Sequence, residues 1–168
     1  MTIFLFRLLS GLLGLFYSFL AIKVTSDNGI SALNYFCTST WVMLSLFFFL
    51  LAVAPETTRI RKFTGTLALQ CLGSSSAMSV GVLFYWPDRF ANLEHIIAHY
   101  LPTILLASIV RKNKIVMRPF QVFIISSIWP ILYLLFRNDA SKIYGLEFPN
   151  KAYVVPVALL IPVLIVCC

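Results

Sequence analysis

Residues Tyr35–Ala54 read YFCTSTWVMLSLFFFLLAVA, twenty residues without a charge. At about 1.5 Å per residue a helix of that length covers ~30 Å, the hydrocarbon thickness of a bilayer. The run lacks the strict alternation of apolar and polar positions that a barrel strand requires. It is therefore expected to be a transmembrane helix.

The same pattern recurs on both sides of it. Apolar runs fall at about Thr2–Ile22, Thr64–Trp86, Ile96–Val110, Pro119–Phe136 and Ala152–Cys168. The fold expected is an all-α integral membrane bundle of six transmembrane helices with short loops, one domain over residues 1–168. Composition agrees: 60% of the 168 residues are hydrophobic and 11% charged, against roughly 25% charged in a soluble domain. The 15 Phe, 7 Tyr and 3 Trp exclude a solvated, disordered chain. The first run is longer than the ~7–15 apolar residues of a signal peptide and no cleavage pattern follows it, so it is read as a helix. Ser10, Gly11, Gly14 and Ser18 form a stripe of small residues there, the mark of close helix packing.

The formal charge of +7 sits between the apolar runs and forms no continuous patch, which argues against nucleic acid as a partner. Arg7, the loop cluster Arg59, Arg61 and Lys62, and the cluster Arg111, Lys112, Lys114 and Arg118 fall on one side of the membrane. Lys23, Arg89, Arg137, Lys142 and Lys151 fall on the other. The positive-inside rule then places both termini in the cytoplasm, with Asp27, Asp88, Glu94, Asp139 and Glu147 on the outer side.

In so apolar a chain the informative positions are polar groups at the starts of spans, because an unpaired one in hydrocarbon costs several kcal/mol. The second helix opens Asn34-Tyr35-Phe36-Cys37-Thr38-Ser39-Thr40, and the fourth opens Glu94-His95-Ile96-Ile97-Ala98-His99-Tyr100-Leu101-Pro102. Thr38 and His99 each stand about one turn inside the outer end of their helix, so they are expected at similar depth. A hydroxyl or thiol beside an imidazole is the minimum pair for covalent acyl transfer. Cys37, Thr38, Ser39 and Thr40 all offer an attacking atom, but residues ~100° apart cannot all face His99. The ordinary role of any one Ser or Thr in a membrane helix is a bond back to a carbonyl one turn earlier. His95 is expected to be a solvated boundary residue.

His95 and His99 share a helix face at metal-ligand spacing, yet the chain has only these two His and Glu94 is rotated off that face. No metal or other cofactor is expected. Cys37, Cys71, Cys167 and Cys168 make no disulfide framework, and no phosphate loop or nucleophile elbow is present.

Together these residues resemble the androgen-inducible membrane proteins, whose characterised members are threonine hydrolases of fatty acid esters of hydroxy fatty acids. Six spans match in number and spacing. Phe36-Cys37-Thr38 is similar to the family's Phe-x-Thr that carries the nucleophile, His99 precedes Leu101-Pro102 as the family's catalytic His precedes Leu-Pro, and Asp88-Arg89 matches an Asp-Arg in the third loop. The chain is also similar to a bacterial group of six-pass membrane proteins of unassigned function. In that group's register Cys37 stands where a Thr is usual and Ser39-Thr40-Trp41 replaces Gln-Ser-Asn. Trp41 also stands where the hydrolases have an Asp one turn beyond the nucleophile.

The resemblance implies an intramembrane hydrolase of lipid esters. Thr38 would be the nucleophile with Cys37 as the alternative, His99 the base, and Asn34, Tyr35 and Tyr100 the side chains near the substrate. The partner implied is a membrane lipid, and the bacterial likeness favours a prokaryotic inner membrane over the endoplasmic reticulum. The competing expectation is a non-enzymatic multi-pass protein: a small transporter, a lipid-binding subunit or an assembly partner. Against transport, the spans lack paired breaks and internal acidic residues.

Overall fold

A computed structural model describes residues 3–55, 57–85, 92–112, 117–136 and 154–167. Among these every regular element is a helix. In chain order they are α1 (Ile3–Asn28), a 3₁₀ turn (Ile30–Asn34), α2 (Phe36–Val53), α3 (Thr58–Tyr85), α4, α5 (Pro119–Phe136) and α6 (Val154–Cys167). The fourth helix is composite: an α turn Leu93–His95, a π turn Ile96–Tyr100 and an α segment Leu101–Lys112. Among the described residues four stretches are long and apolar enough to cross a membrane: Ile3–Asn28, Phe36–Val53, Lys62–Phe84 and Leu93–Arg111. Within α5 and α6 the apolar stretches are shorter, Pro119–Tyr133 and Ala158–Cys167.

Two boundaries differ by six residues from those the apolar runs suggest, and the others by three or fewer. Helix α1 continues past Ile22 through Lys23 and Asp27, because a helix is held by its backbone ladder and does not end where apolar side chains end. Thr25 Oγ1 and Asn28 Nδ2 donate to the carbonyls of Ala21 and Val24 at 2.8 and 3.0 Å. The helix stops at Gly29, whose φ of 75° and ψ of 178° belong to a region open essentially to glycine alone. Helix α3 begins at Thr58 rather than Thr64, which moves Arg59, Arg61 and Lys62 from a loop into its first turns.

Helix α3 is the centre of the bundle. Cys71 to Ser76 are six consecutive buried residues, and at ~100° per residue they cover more than a full circumference, so the helix is enclosed on all sides. It packs against α2, α4, α5 and α6, whereas α1 lies outside on α2. The small-residue stripe of α1 makes that contact: Gly14 faces the Phe49 ring, Gly11 faces Ala52, and the Ser18 and Ser45 hydroxyls are 2.6 Å apart.

The distribution of polarity is the inverse of that in a water-soluble bundle. Phe4, Leu8, Leu12, Leu15, Phe19 and Ile22 are exposed along α1, while Ser74, Ser75, Ser76, Ser126 and Ser127 are buried. Small polar residues inside and large apolar residues outside suit a hydrocarbon solvent, and the apolar helices mark a membrane protein. At one end of the bundle, arginines take carbonyls left over at helix C-termini: Arg7 Nη2 donates to Ala54 O at 3.1 Å and Arg111 Nε to Ile165 O at 3.4 Å. Asp88, Arg89, Asp139, Lys142, Glu147, Lys151 and the loop Tyr144–Pro149 lie outside the described residues.

Candidate functional site

The candidate site starts from a proline. In a continuous α-helix the carbonyl of Ala98 would accept from the N–H of residue 102, and Pro102 has none. The backbone around it is wound as a π turn, with the Leu101 N–H bonded to Ile96 O five residues back. Such turns are rare and occur frequently at functional sites. The Ala98 carbonyl accepts a hydrogen bond from another helix: Trp41 Nε1 of α2 donates to it at 3.0 Å. From α3, Ser79 Oγ reaches the next carbonyl, His99 O, at 2.6 Å, and the Thr103 hydroxyl lies 2.8 Å from Ser79 Oγ. Two helices thus grip the turn that carries His99.

The His99 side chain is buried, 8% exposed. Its Nδ1 lies 3.1 Å from the carbonyl oxygen of His95. A carbonyl only accepts, so in the neutral ring the proton sits on Nδ1 and the Nε2 atom carries the lone pair. The Trp41 ring packs edge-to-face on the imidazole with centroids 5.5 Å apart, and the half-buried His95 ring packs on it in the same manner at 5.3 Å.

Thr38 is 1% exposed, and its Oγ1 has no hydrogen-bond partner. It is therefore not bonded to His99. This is a departure from its neighbours: Ser10, Thr25, Thr64, Ser74, Ser108 and Ser127 all bond the carbonyl four residues back, at 2.7 to 3.0 Å. Ser39 bonds Phe36 O at 3.0 Å. Thr40 shares the condition of Thr38, fully buried with an unpartnered Oγ1. Thr38 and Cys37 leave α2 from the turn before Trp41, on either side of it. Cys37, four residues before Trp41, is about 40° from its direction, while Thr38, seven before Ser45, is about 20° from the stripe that meets Ser18 of α1.

The other candidate residues surround this region at the same end of the bundle. Tyr35, Cys37 and Tyr100 are half-buried. Asn34 ends the 3₁₀ turn, and its side chain lies outside the described residues. Phe36 meets Tyr133 of α5 edge-to-face, with ring centroids 5.0 Å apart. Among the described residues no group of three or more His, Cys, Asp and Glu is placed to hold a metal ion. An apolar groove of about 370 Å³, lined by Leu33, Ser39, Val42, Met43, Leu46 and Trp129, opens on the other side of α2 from Trp41.

The sequence singles out His99 as a candidate, but no motif gives a sign of the residues that hold it. By motif Trp41 is only a substitution, yet its indole makes a contact that links α2 to α4. Ser79 carries no motif at all. A sequence signal did exist for Trp41: Pro102 predicts an orphan carbonyl at Ala98, and a donor from a neighbouring helix has to meet it. Comparison with family models, with curated proteins and with solved structures found no match to this chain.

Proposed function

We propose that the protein is a six-pass membrane hydrolase of fatty acyl esters, working from the end of the bundle where α2 and α4 begin. The observation that carries this reading is the bond from His99 Nδ1 to the His95 carbonyl. It fixes the ring in the tautomer whose Nε2 is a base, as the oriented imidazole of an acyl-transfer pair must be.

In this mechanism Thr38 Oγ1 attacks the ester carbonyl carbon while His99 Nε2 takes the hydroxyl proton. Collapse of the tetrahedral intermediate breaks the bond to the leaving oxygen, which departs as an alcohol carrying the proton from His99. Water then attacks the acyl-threonine, gives its proton to Nε2, and releases the fatty acid as Thr38 recovers its hydrogen. Cys37 Sγ, on the Trp41 side of α2, is the competing nucleophile and would pass through a thioester in the same two steps. An unpartnered buried hydroxyl supports the choice of Thr38, since its proton is committed to no backbone carbonyl. Asn34, Tyr35 and Tyr100 flank the substrate.

A lipid ester suits this placement, since it reaches a buried site by lateral diffusion and only water has to enter from the aqueous side. In the full reading α5 and α6 complete six spans, both termini face the cytoplasm, and the membrane is a prokaryotic inner membrane.

The test is hydrolysis of a fatty acid ester of a hydroxy fatty acid, beside a fluorogenic acyl ester, by detergent-purified monodisperse protein. Wild type should turn over, His99→Ala should be inactive, and one of Thr38→Ala and Cys37→Ala should be inactive, which identifies the nucleophile. A wild type that cleaves neither ester, or three variants equal to it, would overturn the hydrolase and leave a lipid-binding, transport or assembly role.

A further inference from the structure

The polar groups around the fourth helix form a device with a missing part in one element and its replacement in another. Pro102 deletes the N–H that an α-helix would give the Ala98 carbonyl. A bare carbonyl in a hydrocarbon environment costs on the order of 1–3 kcal/mol, so it must find a donor. The donor is the Trp41 indole, at 3.0 Å. The same indole packs its ring against the His99 imidazole at 5.5 Å, one residue along from the carbonyl that it caps. A single side chain therefore meets both the backbone and the ring of the π turn, while Ser79 fixes the adjacent His99 carbonyl from α3.

We infer that Trp41 is the positioning residue of His99: its N–H replaces the one Pro102 lacks, and that bond holds the imidazole in the orientation that leaves Nε2 as the base. The inference deepens the hydrolase reading. In that reaction Trp41 touches neither the ester nor the reacting atoms, and acts through His99. A phenylalanine at this position would keep a ring against the imidazole and lose the donor. An alanine at 102 would let the π turn rewind to the α register, in which its N–H reaches the Ala98 carbonyl and relieves Trp41 of the need to supply a donor.

The two substitutions are therefore coupled, and the coupling gives the test. The full chain is labelled with ¹³C,¹⁵N-histidine and held in detergent micelles. Its two imidazoles are assigned with His95→Gln and His99→Gln. In wild type the His99 ring nitrogens should report a single neutral tautomer protonated at Nδ1. Trp41→Phe should pull them toward the averaged shifts of a ring that exchanges tautomers, and Trp41→Phe/Pro102→Ala should recover at least half of that displacement. Pro102→Ala alone should release the Trp41 indole N–H, seen as faster hydrogen exchange, and this arm stands even if Trp41→Phe does not fold.

If Trp41→Phe leaves the His99 nitrogens unmoved, or the double variant is displaced as far as the single one, or Pro102→Ala leaves indole exchange unchanged, the inference is wrong. The resonances exist whether or not an ester is cleaved, so failure here is distinct from failure of the hydrolase. Where turnover is present, Trp41→Phe should lower kcat roughly 10–100-fold with KM within about twofold, as expected when a catalytic group is misplaced without touching substrate.

Discussion

A methyl group on Gly73 of α3 would stand 2.6 Å from the carbonyl carbon of Ser126 and 2.7 Å from its Cβ. The two helices touch backbone to backbone there, and only glycine permits it. Gly73→Ala should therefore force α3 and α5 apart and destabilise the bundle by about 1–3 kcal/mol, the ordinary cost of overpacking. Gly81, with nothing within 4 Å of an added Cβ, is the internal control, and Gly81→Ala should be neutral or stabilising by about 0.5–1 kcal/mol. Thermal unfolding in detergent compares them, and equal melting of the two variants would refute the close approach.

The Ser18–Ser45 contact at 2.6 Å is a polar link between α1 and α2 within the span, beside the Arg7 bond to Ala54 O near the helix end. Hydrogen bonds between membrane helices average roughly 0.6 kcal/mol and reach about 1.7. Ser18→Ala, Ser45→Ala and the double variant should show a coupling energy in that range. Additive effects would mean that the packing of Gly11 and Gly14, with the Arg7 bond to Ala54 O, holds α1 on α2 without help from this pair.

How much of this was legible in the sequence follows from which interactions are local. The helical spans can be read because hydrophobicity is summed over twenty residues, and the small stripe of α1 because it repeats at helical spacing. His99 stands out because an imidazole inside a span is uncommon. Its setting was not legible, since Trp41 and Ala98 are 57 residues apart and Ser79 and His99 are 20 apart. Local pattern does not reveal which helix turns toward which. Thr38 shows the same limit from the other side. Its depth can be read from the sequence, but its direction depends on the rotation of α2, which Ser45 and Trp41 set.

His95 serves His99 through its backbone carbonyl, and side-chain replacement leaves that carbonyl in place. His95→Gln should therefore keep ester turnover within about tenfold, whereas His99→Gln removes the base and should lower it by about 10²–10⁴-fold. Both rates are read on the fluorogenic ester. A His95→Gln enzyme as slow as His99→Gln would show that the His95 ring, packed 5.3 Å from its neighbour, takes part in the proton transfer itself.

The unpartnered hydroxyls of Thr38 and Thr40 separate stability from chemistry. Each is buried and makes no hydrogen bond, so each imposes a desolvation cost without return, on the order of 1–3 kcal/mol. Valine has nearly the same shape and removes the polar atom. Thr40→Val should raise the melting temperature and leave turnover unchanged, because nothing in the proposed chemistry uses Thr40. Thr38→Val should raise it by a similar amount and abolish turnover, since the hydroxyl removed is the proposed nucleophile. Loss of activity together with a gain in stability is the signature of a group retained for reaction rather than for packing. A Thr38→Val protein that is more stable and still fully active would pass the nucleophile's role to Cys37, whose own replacement by alanine should then be inactive.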